Sequence, residues 1–222
     1  MVRFITIAMT GVLLAACGDT YNIDGKTGVS RFDGKTVYLR MLDDAGTVVD
    51  SAEVVHGTFK MSGNVDSVMM LMLCMDDEGI TPLVLENGCL SVDISNNETA
   101  VSGTPLNDSL YSFLKHKKDI DTKLNEMDTE IARRVLAGDN YDVVKMEVGD
   151  ECDSLCNGYN SYIEDFISSN FDNVLSSGVF LLICRSTPRE ALPESFSSLI
   201  RSAPDDFKSQ PIVAEYLKGN PY

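Results

Sequence analysis

The chain has no tryptophan, only two histidines, and 18 basic residues against 34 acidic ones in a length of 222. Each scarcity excludes something. A zinc site wants Cys and His pairs whose spacing lets four ligands converge, and neither His56 nor His116 sits at such a spacing from a cysteine. A Ser–His–acid hydrolase needs a histidine held by a carboxylate beside a nucleophile. His116 instead lies in Lys115-His116-Lys117-Lys118, a solvated basic face, and His56 precedes Gly57 in a turn. The formal net charge of −16 would be repelled by phosphate backbones, so no nucleic-acid partner is expected. No Gly-x-Gly-x-x-Gly and no Walker-type phosphate loop occurs, and no Cys-x-x-Cys redox pair. Apolar runs are short as well. None approaches the roughly 20 residues that span a bilayer, so no transmembrane helix is expected in the mature chain.

What is present begins with the first residues. Arg3 precedes an apolar run from Phe4 to Leu14 and then small residues, the layout of a secretory signal. Leu14-Ala15-Ala16-Cys17 resembles a lipobox, which predicts a signal peptide over 1–16, cleavage before Cys17 and a covalent lipid on its thiol. An ordinary signal with a chance cysteine is the competing reading. The lipoprotein reading predicts attachment to a membrane through acyl chains, each buried methylene adding about 0.8 kcal/mol. It places the protein in the cell envelope, at the outer membrane, facing the periplasm or the outside. No metal and no cofactor beyond that lipid is expected.

With Cys17 assigned to lipid, Cys74, Cys89, Cys152, Cys156 and Cys184 remain. An odd count leaves at least one free thiol in an oxidising compartment. A chain this long, 44% apolar, does not need disulfides to build a core, and most of these cysteines read as small buried hydrophobes. The stretch Cys152-Asp153-Ser154-Leu155-Cys156 is the one candidate for thiol chemistry. In a regular helix, residues four apart hold their Cβ atoms about 5–6 Å apart. A disulfide wants about 3.5–4.5 Å. The pair is therefore expected to stay reduced on the inner side of a helix, with a redox pair as the alternative.

The chain changes character near residue 100. Before it come short alternating runs: Tyr21 to Val29, Thr36 to Arg40, Thr47 to Val55, Thr58 to Gly63, Val68 to Met75, Ile80 to Leu85 and Leu90 to Ile94. Polar turns separate them, with Glu86-Asn87-Gly88 expected to form a hairpin. Val68 to Met75 is nearly all apolar, so both of its faces should be covered. Its four methionines divide between those faces rather than gathering into a soft-metal site. After residue 100 the period becomes helical. Leu106, Leu110, Phe113, Ile120, Leu124, Met127 and Ile131 form one stripe, and Val148, Cys152, Leu155, Tyr159, Tyr162 and Phe166 a second. Ala137-Gly138-Asp139-Asn140 ends the first helix. Asn173 to Cys184, Pro188 to Ala203 and Pro211 to Lys218 read as shorter helices, the last two introduced by proline.

The expected fold is α+β. An antiparallel β-sandwich or open barrel of about seven strands occupies 17–100. A helical domain over 101–222 follows, with an antiparallel hairpin and short C-terminal helices, packed on the β domain or extending from it. Asp43-Asp44-Ala45-Gly46 and Asp76-Asp77-Glu78-Gly79 cluster oxygen donors that could hold calcium, but they lack EF-hand spacing and read equally as acidic turns.

Four pieces in order carry a resemblance: Gly34-Lys35-Thr36-Val37-Tyr38-Leu39; Val49-Asp50-Ser51-Ala52 with Gly57-Thr58-Phe59; Leu85-Glu86-Asn87-Gly88; and Val101-Ser102-Gly103-Thr104-Pro105-Leu106-Asn107. Together they resemble the N-terminal domain of unknown function of Gram-negative lipoproteins related to periplasmic thiol–disulfide oxidoreductases. In that family a thioredoxin-like domain with Trp-Cys-x-x-Cys follows. Here its redox residues have no positions to occupy. The resemblance implies fold, anchor and compartment, not a reaction. The resulting expectation is a lipid-anchored, non-enzymatic binding or interaction module for an unidentified protein or small-molecule partner. The alternative is an accessory of a thiol–disulfide oxidoreductase, acting through Cys152 and Cys156.

Overall fold

A computed structural model describes residues 19–42, 44, 46–187 and 194–219. The segment read as a signal, with Leu14, Ala15, Ala16 and Cys17, lies outside the described residues, as do Asp43, Ala45 and Pro188. The described chain is α+β, with eight strands in two four-stranded sheets followed by six helices and no closed barrel.

The first sheet orders its strands β4 (Thr58–Asn64), β1 (Thr20–Thr27), β7 (Gly88–Ile94) and β8 (Thr99–Ser102). The second orders them β3 (Val48–Glu53), β2 (Thr36–Met41), β5 (Met69–Met75) and β6 (Glu78–Leu85). Alternation decides which residues face inward. β1 buries Tyr21 and Ile23, β4 buries Phe59 and Met61, and β7 buries Leu90, Val92 and Ile94. These meet Val37, Leu39, Leu71, Leu73, Leu83 and Leu85 from the other sheet in one core. His56 and Gly57, both at positive φ, make the tight turn from β3 to β4, with Val55 and Thr58 exchanging backbone hydrogen bonds.

β5 is covered on both faces, as its composition predicts. Leu71, Leu73 and Met75 enter the core between the sheets, while Met70 and Met72 turn outward under the helices. The methionines thus divide between two cores. α3 (Val174–Ser186) lies on this outer face, close enough that a Cβ on Gly178 would collide with Met70. Phe180 of α3 stacks on Phe196 of α4 (Glu194–Ser202) and meets Phe207 of α5 (Asp205–Ser209) edge-on. α6 (Pro211–Gly219) starts at its proline, as read from the sequence, and buries Val213 beside them.

Two expectations about the strands need correction. Glu86-Asn87-Gly88 is not a hairpin turn. It carries the chain from one sheet to the other, so β6 and β7 are consecutive without being partners. The sheets are also not wholly antiparallel, because β1 runs parallel to β7, pairing Tyr21 with Gly88 and Thr27 with Ile94. Both follow from the crossover, which delivers β7 beside the first strand rather than beside the preceding one. The eighth strand, Thr99–Ser102, straddles the residue where the sequence changes character.

α1 (Pro105–Leu136) and α2 (Tyr141–Ser169) form the expected antiparallel hairpin. Asn140 caps α2, its side-chain oxygen accepting from the Asp142 and Val143 N–H groups. Near the sandwich the hairpin has a full core, with Leu110, Phe113, Ile163 and Ile167 buried against α3. Farther out, Leu124, Met127 and Ile131 are half-buried and Val144 and Val148 fill the seam between the two helices. Surface pairs such as Lys115–Asp119, Lys117–Asp121 and Arg134–Glu147 run along this arm.

Candidate functional site

The densest buried polar cluster joins the sandwich to the arm. α1 must begin against the edge of β6, leaving two problems: unpaired backbone groups along that edge and free N–H groups at the helix start. Asn107 resolves the first. Its side-chain oxygen accepts from Val84 N at 2.9 Å and its nitrogen donates to Val84 O at 2.7 Å, so one amide stands in for a neighbouring strand. Glu86 resolves the second, accepting from the Leu106 and Asn107 backbone N–H groups at 2.9 and 3.1 Å. A carboxylate there also suits the positive end of the helix dipole. Thr104 completes the set, its hydroxyl accepting from Asn107 Nδ2 at 2.9 Å. Farther along, the Tyr111 hydroxyl donates to Pro82 O at 3.1 Å and shares a hydrogen bond with Thr81 Oγ1. Burial pushes the Tyr111 phenol up to about 12.

The backbone leading into this joint is equally constrained. Gly103 holds φ at +109°, and a Cβ there would run into the Cys89 carbonyl oxygen. The Asp108 carboxylate accepts from Gly103 N at 3.1 Å and fixes the approach to the helix.

Two adjoining clefts open at the end of the sandwich opposite Asp19. One, about 540 Å³, lies between β6, β8 and α1, with Thr81, Asn97, Tyr111 and Lys118 on its walls. The other, about 610 Å³, shares Ile80, Ser95, Asn96 and Thr99 with it. Several of their charged groups are paired: Lys118 with Glu98, Lys35 with Asp76, and Asp77 with Arg40 outside the clefts.

The acidic turns resolve in the same way. Asp76 and Asp77 are partners of Lys35 and Arg40. Asp44 spends its carboxylate on its own turn, accepting from Gly46 N and Thr47 Oγ1. Among the described residues no group of three or more His, Cys, Asp or Glu side chains is placed to hold a metal ion. Among them, too, no helix is long and apolar enough to cross a membrane.

Cys74, Cys89, Cys152 and Cys156 are free thiols. Cys152 and Cys156 sit one turn apart and half-buried on α2, not joined in a disulfide. Burial, and then the neighbouring Cys152, raise the Cys156 thiol above its ordinary range. Cys74 is buried and its thiol is raised by desolvation. Cys89 is exposed, against the expectation of a small core residue, because its side chain falls on the outward face of β7.

Exposed large apolar side chains concentrate at the hairpin tip. Leu136 is 88% exposed and Met146 64%, with Tyr141 and Val143 beside them. Glu86 and Asn107 were visible in the sequence as turn and strand chemistry only, because Glu86 lies about twenty residues from Leu106 and Asn107, and Asn107 as far from Val84, beyond any local pattern.

The fold defines a class: a two-sheet sandwich locked to a helical hairpin by buried side chains. Residues 21–110 match a family model described as a domain of unknown function (DUF4369). The match runs from β1 through the sandwich into the first turns of α1, so it takes in Glu86, Thr104 and Asn107. No curated protein matches the chain at a significant level.

Proposed function

We propose that this protein is a lipid-anchored interaction module of the cell envelope, held to a membrane through Cys17 and without a reaction of its own. One observation carries the non-catalytic part. The buried polar side chains Glu86, Thr104 and Asn107 direct their hydrogen bonds at backbone groups and at each other. An active site instead leaves such groups poised toward a reacting molecule. The anchor is carried by Leu14-Ala15-Ala16-Cys17.

Two experiments test the reading. Cys17→Ser should move the protein from the membrane fraction to the soluble one, and a variant that stays membrane-bound would remove the anchor. The purified protein should neither reduce insulin nor oxidise dithiols, and turnover above a protein-free control would overturn the non-enzymatic assignment. The placing of two free thiols, Cys152 and Cys156, one turn apart on α2 favours one second reading, an accessory of a thiol–disulfide oxidoreductase. A mixed disulfide trapped between Cys152 or Cys156 and a thioredoxin-type protein would support it.

A further inference from the structure

The sandwich has two ends, and the N-terminal strand marks one of them. Asp19 is fixed there. Its carbonyl oxygen accepts from Val65 N at 2.8 Å and its carboxylate from Asn87 Nδ2 at 3.3 Å. β4 and β6 finish at this end and β7 begins there, since Thr20 pairs with Asn64 and Tyr21 with Gly88. α1 starts at the same end and then runs the length of the sandwich. Asn107 is bonded to Val84, Tyr111 to Pro82, and Lys118 is paired with Glu98 in the loop at the opposite end. The rest of α1, to Leu136, continues past that loop with α2 alongside.

Only Gly18 separates Cys17 from Asp19. Two Cα steps of about 3.8 Å give the tether a reach of under about 8 Å. We propose that the Asp19 end of the sandwich rests on the headgroups of the bilayer and that the α1–α2 arm stands away from it. The 32 residues of α1 rise about 48 Å. The apolar tip of Leu136, Tyr141, Val143 and Met146 is thereby carried far from the membrane. The surface pressed toward lipid includes Val68, an exposed valine, and the neighbouring Asp66. With a chain so rich in acidic residues above it, 34 against 18 basic ones over the full sequence, the bilayer surface it fits is a zwitterionic one. This inference rests on the anchor reading above.

The absence of native tryptophan makes the test direct. Val68→Trp and Tyr141→Trp each give one emitter, at the base and at the tip. The acylated full chain is reconstituted in phosphatidylcholine vesicles that carry a dansyl acceptor on a fraction of their headgroups. Energy transfer from Val68→Trp should exceed that from Tyr141→Trp several-fold. A flexible glycine–serine insert after Gly18 should weaken the base signal. Equal transfer, or stronger transfer from the tip, overturns the orientation while leaving the anchor intact. The mass of the N-terminal peptide separates the two ideas, because an unmodified Cys17 removes the anchor and the orientation together. Circular dichroism of each variant before reconstitution confirms that it is folded.

Discussion

Replacing Asn107 with alanine would break the joint at its centre. Asn107 is 0% exposed and pairs with both backbone groups of Val84. Alanine leaves the Val84 N–H and C=O without partners at a sheet edge that α1 covers. An orphaned buried polar group costs about 1–3 kcal/mol, so two cost about 2–6 kcal/mol. In a chain of this size each kcal/mol lowers Tm by about 2–4 °C, which places the expected fall near 10 °C. Water entering at the edge would move the result toward the smaller figure. Asn107→Asp should be at least as harmful, because a carboxylate cannot donate to Val84 O. The assay is thermal unfolding followed by far-UV circular dichroism. Thr122→Ala is the control, since the Thr122 hydroxyl bonds only Lys118 O on an exposed helix face and its loss should stay within about 0.5 kcal/mol. An Asn107→Ala protein that unfolds alongside the Thr122→Ala control would refute the structural role assigned to the joint.

Further expectations follow from the same geometry. The Tyr111 pKa is raised to about 12 in the fold, so the stability it contributes is complete below about pH 10 and lost as pH rises through 12. Phenolate absorbance should show native tyrosines titrating later than in urea, and Tyr111→Phe should flatten the alkaline loss of stability. If native and unfolded titrations coincide, the burial of these phenols is wrong. Gly103→Ala forces a Cβ onto the Cys89 carbonyl and should cost about 3 kcal/mol or more by urea titration. Gly138→Ala, at positive φ but with open space around it, should cost about 1–2 kcal/mol. In alkylation of the native protein Cys89 should react first and Cys74 last, read by peptide mass, with Cys156 slowed by its raised thiol. Amide exchange should be faster over residues 121–150 than in β5 or β7, because that part of the arm is held mainly by one helix seam.

Local patterns in the sequence reached far into this fold. Alternation located the strands, the two helical stripes located the hairpin, and Ala137-Gly138-Asp139-Asn140 marked its turn. The wholly apolar β5 announced that both of its faces would be covered. What stayed hidden was non-local. Glu86-Asn87-Gly88 has the composition of a hairpin turn, and only the pairing of β7 with β1 shows that it crosses between sheets. The work of Asn107 and Glu86 depends on a strand edge and a helix start that are adjacent in space and distant in sequence. Cys89 misled for a simpler reason, since a cysteine at an outward position of a strand carries no local mark of its exposure. The tip residues Leu136, Tyr141, Val143 and Met146 fell outside the inward stripes, and their gathering emerges only when the two helices fold back on each other.

Lipid attachment at Cys17 is tested most directly by mass analysis of the N-terminal peptide from membrane-isolated protein. The expected result is a mature chain that begins at Cys17 and carries the mass of covalent acyl chains. A peptide that begins elsewhere, or a Cys17 with an unmodified thiol, would contradict it.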